Sequence, residues 1–190
     1  MSPRTHEANE AIRDERKATI LDTALGVFVE RGFEGTRIQD IADRCGLSYG
    51  LVYRYFPSKE TIFSTLAESA LDAAESLIKT LPRESPPEAF GAFIGFAISG
   101  PSPHYFSIII EALTNRGVAP ELATGARERI KRIMAGIAAG GGFADPGEAA
   151  AWAESILAIL LGASIMKICG VSNGDFASQA AAVLSAPKKE

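Results

Sequence analysis

The 190-residue chain is predicted to be all-α, and three observations carry that expectation. Apolar residues recur at spacings of three and four in nearly every segment. No run of alternating β-branched residues is long enough to demand a sheet, since "FSIII" passes straight into good helix formers. Gly, Pro, Ser or Asp bounds each apolar segment at helix-length intervals. About nine helices are expected, in two units: residues 1–57, a three-helix domain containing a helix-turn-helix, and residues 58–190, a larger helical domain entered through the helix that begins at Ser58.

The first helix is expected from about Asn9 to Arg31, with Ile20, Leu21, Ala24, Leu25, Phe28 and Val29 on one face and Gly32 as its stop. In "GTRIQDIADRCG", Thr36 is expected to cap the second helix with Gln39 three residues on, and Gly46 to end it. Ser48 caps the third, which Pro57 stops, and Ser58 caps a fourth that runs through Ile62, Phe63, Leu66 and Ala70 to the break "LPRESPP". Five more follow in "EAFGAFIGFAIS", "HYFSIIIEALTNR", "PELATGARERIKRIMAGIAA", "GEAAAWAESILAILLGASIMKIC" and "DFASQAAAVLS".

Composition removes several functions. The net charge of −4 argues against a basic nucleic-acid coat protein but allows a local binding face. Through Glu60 there are nine Lys/Arg against ten Asp/Glu, so such a face must come from arrangement. Cys45 and Cys169 are the only cysteines and have no ligand spacing, so neither a disulfide framework nor a metal site is expected, and no cofactor. The N-terminal stretch is polar where a secretion signal needs an apolar core, and the apolar run Ile156 to Met166 is too short to span a membrane. A cytoplasmic protein is expected. There is no Gly-x-Ser-x-Gly elbow, phosphate loop or paired catalytic carboxylates, so it is not expected to be an enzyme.

The informative stretch is "GLSYGLVYRYFPSKE". On a helical wheel Val52 and Phe56 share the buried side, Gly50 and Arg54 lie nearly opposite, and Leu51 and Tyr53 flank them. Tyr49 is placed between Tyr53 and the core face, and Tyr55 borders the core on the other side. Ala42 and Gly46 are expected to be small because the two helices approach closely there. Such an outward face suits a DNA major groove: glycine admits the backbone, arginine bonds guanine or phosphate, and tyrosine hydroxyls reach phosphates. Lys59 adds a cation at the start of the next helix.

These residues resemble a known family. "ILDTALGVFVERGFEGTRIQDIADRCGLSYGLVYRYFPSKETIF" is similar to the N-terminal signature of the TetR (tetracycline repressor) family of bacterial transcription regulators, over roughly residues 16 to 66. The resemblance implies that Thr36, Tyr53, Tyr55 and Lys59 bind phosphate and that Gln39, Tyr49, Gly50 and Leu51 approach bases. Arg37, Ser48 and Arg54 complete the DNA-facing set. Leu51 departs from the hydroxyl or amide side chain often found there, and so suits a thymine methyl. It also implies a homodimer on a palindromic double-stranded operator, a repressor as the default output, and a small-molecule effector bound in the second domain.

For the dimer, the last two apolar helices are the candidates, with Ala153, Leu157, Leu160 and Ser164 as a close-packing stripe; the same stripe could instead face its own core. For the effector, the candidate lining is Phe63, Leu66, Phe93, Phe96, Tyr105, Phe106, Ile109, Trp152, Ser155 and Ile156, with Asn115, His104 or Glu111 as further polar anchors. That lining favours an apolar or amphipathic molecule. The competing reading is a helical small-molecule carrier whose helix-turn-helix is only scaffold.

Overall fold

The structure is a computed structural model that describes residues 6–79, 104–115, 117–140 and 143–171. Among these residues there are seven α-helices and no strand: α1 (His6–Gly35), α2 (Ile38–Cys45), α3 (Tyr49–Tyr55), α4 (Lys59–Lys79), α5 (His104–Thr114), α6 (Pro120–Gly140) and α7 (Pro146–Ile168). The expected count of about nine included helices at "EAFGAFIGFAIS" and "DFASQAAAVLS", which lie outside the described residues.

Each boundary has a local cause. Gly32, with φ 69° and ψ 170°, breaks α1 in a backbone region open essentially to glycine alone. The α2 start departs from expectation. Thr36 is buried and its hydroxyl donates to the Gly32 carbonyl at 2.7 Å, so it holds the turn instead of capping the helix. The cap is Arg37, whose amide donates to the Asp40 carboxylate at 2.9 Å, while Gln39 reaches outward to Asp43 at 2.6 Å. At the other end Gly46 is left-handed (φ 66°, ψ 28°), and the amides of Gly46 and Leu47 donate to the carbonyls of Asp43 and Ala42. That pattern closes the last turn of α2. Gly46 is therefore a conformational requirement, not a close-packing one: a Cβ there would meet nothing within 4 Å.

Ser48 caps α3 by accepting from the Leu51 amide, and Ser58 caps α4 by accepting from the Thr61 amide at 3.1 Å. Pro57 follows the α3 terminus as expected. Asp145 caps α7 through the Glu148 amide at 2.8 Å.

α1, α2 and α3 pack around Ile20, Ala24, Phe28, Ile41, Ala42, Val52 and Phe56, all buried. The same core continues through Ile62, Phe63 and Leu66 of α4 into Ile108 and Ala112 of α5 and Val118. It crosses the expected boundary at residue 57 without a gap. A second cluster, Ile133, Ile137, Ala153, Ile156, Leu160 and Ala163, joins α6 to α7, and a third, Ala70, Leu71, Ile109 and Ala126, joins α4, α5 and α6.

Two glycines of the first domain test this account by opposite signs. Gly26 lies within α1 with open space around its missing Cβ, so Gly26→Ala is expected to stabilise the protein by roughly 0.5–1 kcal/mol. Gly46→Ala keeps the contacts but forces a side chain into the left-handed region, and is expected to destabilise by about 1–2 kcal/mol. Urea unfolding midpoints moving in those two directions at unchanged m-value would bear this out.

Candidate nucleic-acid interface

α3 presents two distinct sides. Val52 is fully buried and Phe56 nearly so, which fixes the opposite side outward. There Gly50 and Arg54 are exposed and Leu51 is half-buried. Tyr49 and Tyr53 are 47% and 49% exposed, and their rings stack 5.8 Å apart at 24°. Tyr49 thus pairs with Tyr53 on the outside and does not lean toward the core; the i, i+4 spacing that favours this stack is visible in the sequence. Tyr55 is half-buried against the first core, as expected.

The candidate DNA residues fall on either side of this ridge. On one side a groove of about 560 Å³ is lined by Arg37, Gln39, Tyr49, Tyr53, Ser58 and Lys59, together with Glu34 and Glu60. On the other, Arg54 and Tyr55 meet Asn9, Ile12 and Arg13 of α1 around a depression of about 420 Å³. Thr36 borders the groove but is only 1% exposed, and its hydroxyl points to Gly32. Its expected phosphate contact therefore has no free hydroxyl here. Lys59 is also engaged: its ammonium donates to the Phe33 carbonyl at 2.9 Å and lies 4.4 Å from the centre of the Phe33 ring. One of its three donors is spent within the protein, so it serves first to hold the turn after α1.

Several charges of the domain are neutralised locally. Arg44 grips Glu30 with two bonds of 2.6 and 2.7 Å, and Arg31 meets Asp40 at 2.6 Å. The Arg44 hydrogen bond holds the Glu30 carboxyl below its ordinary value, and the Arg37 amide, helped by Arg31, does the same for Asp40. Both pairs lock α2 against α1, which sets the angle at which α3 is offered.

The sequence did not single out how this domain is tied to the rest. The Glu111 carboxylate of α5 accepts from the Phe33 amide at 2.5 Å and from the Asn115 side chain at 3.3 Å. Both bonds go to Glu111 Oε1, so this oxygen serves the turn after α1, apart from the effector role expected of Glu111 and Asn115. A signal existed, a lone acid in the apolar run "SIIIEAL", but nothing in it named a partner 78 residues away.

The effector lining is redistributed as well. Phe63 and Leu66 belong to the core under α3, where Phe63 packs edge-on against Phe28 at 5.3 Å and Phe33 at 5.0 Å. The first turns of α4 are needed to close the small domain, which leaves Phe63 only the rim of a depression of about 170 Å³ shared with Val118 and Leu122. Phe106, Trp152 and Ile156 come together in the α6–α7 core, whereas Tyr105 and Ile109 pack toward α4. Ser155 faces outward, its hydroxyl donating to the Ala151 carbonyl at 2.9 Å. Phe93 and Phe96 lie outside the described residues. Of the stripe that could face a partner or its own core, Ala153, Leu160 and Ser164 are buried inside their own subunit and Leu157 is half-buried, which favours the core.

A short helix capped at Ser48, braced on a second by a left-handed glycine turn and presenting Gly50, Tyr53 and Arg54, defines a helix-turn-helix of the kind that enters a DNA major groove. Residues 20–66 match the family described as bacterial regulatory proteins, tetR family. The match covers the three helices of the small domain and the first turns of α4, and so assigns that N-terminal part of the chain to the family's DNA-binding domain. The chain is 40% identical over 72 residues to an uncharacterized HTH-type transcriptional regulator, YfiR of Bacillus subtilis (strain 168), covering 38% of this chain and 34% of YfiR. It is 34% identical over 85 residues to the HTH-type transcriptional regulator RutR of Escherichia coli (strain K12), covering 45% of this chain and 40% of RutR. These matches thus span well under half of either relative. The structure of AibR in complex with isovaleryl coenzyme A and operator DNA superposes with a TM-score of 0.69 over 91% of this chain and all of that one; at 21% identity this is a likeness of fold.

The Glu111 tie gives a stability prediction. Glu111→Ala leaves the part-buried Phe33 amide without its charged acceptor and is expected to destabilise the protein by about 1.5–3 kcal/mol. Glu111→Gln retains an acceptor oxygen and is expected to recover part of that loss in the same urea titration.

Proposed function

We propose that this protein is a ligand-responsive repressor that binds a palindromic operator as a homodimer and is released by a small apolar or amphipathic effector. The observation that carries the reading is the outward face of α3, where exposed Tyr49, Gly50, Tyr53 and Arg54 lie opposite buried Val52 and Phe56. Gln39, Tyr49 and Gly50 approach base edges, Leu51 meets a thymine methyl, and Arg54, the hydroxyls of Tyr53 and Tyr55, Arg37 and Ser48 reach the phosphates that set register. A protein acting on bacterial operators works in the cytoplasm.

Dimer formation is assigned to the outward face of α7. Ala151, Ser155, Ala158 and Gly162 are exposed there at steps of four and three, ending in Ile165 and Met166, which are 46% and 41% exposed. α7 is long and apolar enough by composition to cross a membrane, with a mean hydropathy of 1.7. Its opposite face, however, is packed on α6, and small residues along the free face let a second helix approach closely. Two such subunits place two α3 helices on successive major-groove turns.

The effector site is assigned to the second unit, near the apolar junction of Phe106, Trp152 and Ile156. AibR, whose structure holds both isovaleryl coenzyme A and operator DNA, supports the view that this fold serves both ligands. The transmitting element is α4. It is clamped at one end through Lys59 to Phe33, and further along by Arg129, which bonds Glu75 at 2.9 Å and Asp72 at 2.5 Å. An effector that favours a different α4 position alters the separation of the recognition helices, and need only bind the DNA-incompetent spacing better.

Selection of duplex fragments by the purified protein tests the reading. A near-palindromic sequence should be enriched, and Arg54→Ala with Tyr53→Ala should abolish the enrichment while leaving the dimer intact; Arg54→Ala alone should weaken binding to all operator variants by a similar factor and lower the salt slope by about one. A folded, dimeric wild type that enriches nothing would sink the proposal in favour of a ligand carrier. Ala158→Arg is expected to give a folded monomer by light scattering, with operator binding lost.

A further inference from the structure

α1 is longer than its core requires. Ile20 is its first buried residue among the side chains described, and from there the helix runs back about 20 Å to His6, past the first core. The side of α1 that carries Ile20, Ala24 and Val27 continues back along this extension as Lys17, Arg13 and Asn9, at steps of three and four. Where an inward stripe would be apolar, it is cationic and polar.

That side runs beside the end of the recognition helix. Asn9, Ile12 and Arg13 line one depression, of about 420 Å³, together with Arg54 and Tyr55. Three cations of the domain are matched, Arg31 with Asp40, Arg44 with Glu30 and Lys59 with the Phe33 carbonyl, whereas Arg16 and Lys17 of α1 are not. Among the described residues, no hydrogen bond or ion pair engages Arg13 or Arg54. Two unneutralised guanidinium groups facing one concavity repel each other in the free protein, and the repulsion turns into attraction when an anion enters between them. A guanidinium fork matches a phosphate with two parallel hydrogen bonds, and Asn9 and the Tyr55 hydroxyl add neutral donors.

We propose that the Arg13–Arg54 depression is a phosphate subsite for duplex DNA, so that the N-terminal extension of α1 grips the backbone flanking the groove that α3 reads. The site is continuous with the α3 face, which fixes its occupant as a DNA phosphate instead of a free anion. It rests on the reading that the protein binds duplex DNA. Arg13 acts on affinity and on the placing of α3, while base choice stays with α3.

The test uses a fluorescein-labelled duplex enriched by the wild-type protein, titrated by anisotropy over a range of NaCl concentrations. Arg13→Ala is expected to weaken binding uniformly across operator variants and to reduce the slope of log Kd against log salt by about one, the signature of one lost phosphate contact. Arg13→Lys should restore most of that slope. Arg127→Ala, on α6 away from the DNA face, should change neither quantity. Arg13 is exposed, so circular dichroism and the melting temperature should be unaltered. A wild type that binds the duplex with an Arg13→Ala slope equal to its own overturns the phosphate subsite alone. A wild type that binds no duplex overturns the DNA-binding reading together with it.

Discussion

The peptide of Phe33 is the point at which this structure is tied together. Gly32 turns the chain out of α1, which frees the Phe33 amide and carbonyl from the helix ladder. Both groups are partly buried and both need partners. The amide takes the Glu111 carboxylate from α5, the carbonyl takes the Lys59 ammonium from α4, and the ring closes on Phe28 and Phe63. One dipeptide thus joins the helix that begins the DNA-binding domain, the helix that leaves it and a helix of the second unit. A carboxylate holds the amide of Phe33 and an ammonium its carbonyl, so rotation of the small domain about this point would have to break charged hydrogen bonds.

This arrangement explains how an acidic chain can still present a DNA-facing surface. Net charge is −4, and of the acids around the interface two are committed, while Glu34 and Glu60 stay in the lining of the groove. Glu30 and Asp40 are spent on Arg44 and on Arg31 with the Arg37 amide. Exposed ion pairs of this kind add little stability, but they withdraw negative charge from the approach of a phosphate and fix α2 on α1. The exposed large apolar side chains tell a parallel story. Among the described residues they are Tyr49 and Tyr53 on α3, and Ile165, Met166 and Val171 at the end of α7. Exposure is confined to the surfaces where the proposed function requires partners.

Much of this was legible in the sequence because it depends on local rules. The helix periods, the Gly32 stop, the Ser48 and Ser58 caps, and the opposition of Val52 to Arg54 follow from spacing and side-chain chemistry within a few residues. What was not legible depends on distance. Thr36 has the right residue type for a cap, but burial against the Gly32 carbonyl wins, and Asp40 caps through Arg37 instead. Small residues on α7 occur on both faces: Ala153 and Ser164 point inward, Ala158 and Gly162 outward, and a one-dimensional pattern cannot choose between two equally small stripes. Glu111 needed the fold, because its partner lies on another helix. Arg13 needed it too, since only the run of α1 past its core brings that residue to Arg54.

The energies involved suit the proposed effector response. A charged hydrogen bond to a part-buried amide is worth about 1.5–3 kcal/mol, and coupling between effector and DNA sites typically amounts to about 1–3 kcal/mol. A domain joined only through a shared apolar core would shift in proportion to small repacking, while one locked by many buried ion pairs would resist any effector of modest affinity. Here the first core runs unbroken from α3 through Phe63 to Ala112, and the polar fastening is concentrated at Phe33 and at Arg129. α4 passes between those two fastenings and carries both Lys59 and Glu75. On the proposed reading, a displacement of α4 that parts Lys59 from the Phe33 carbonyl costs about what an effector's differential binding can supply.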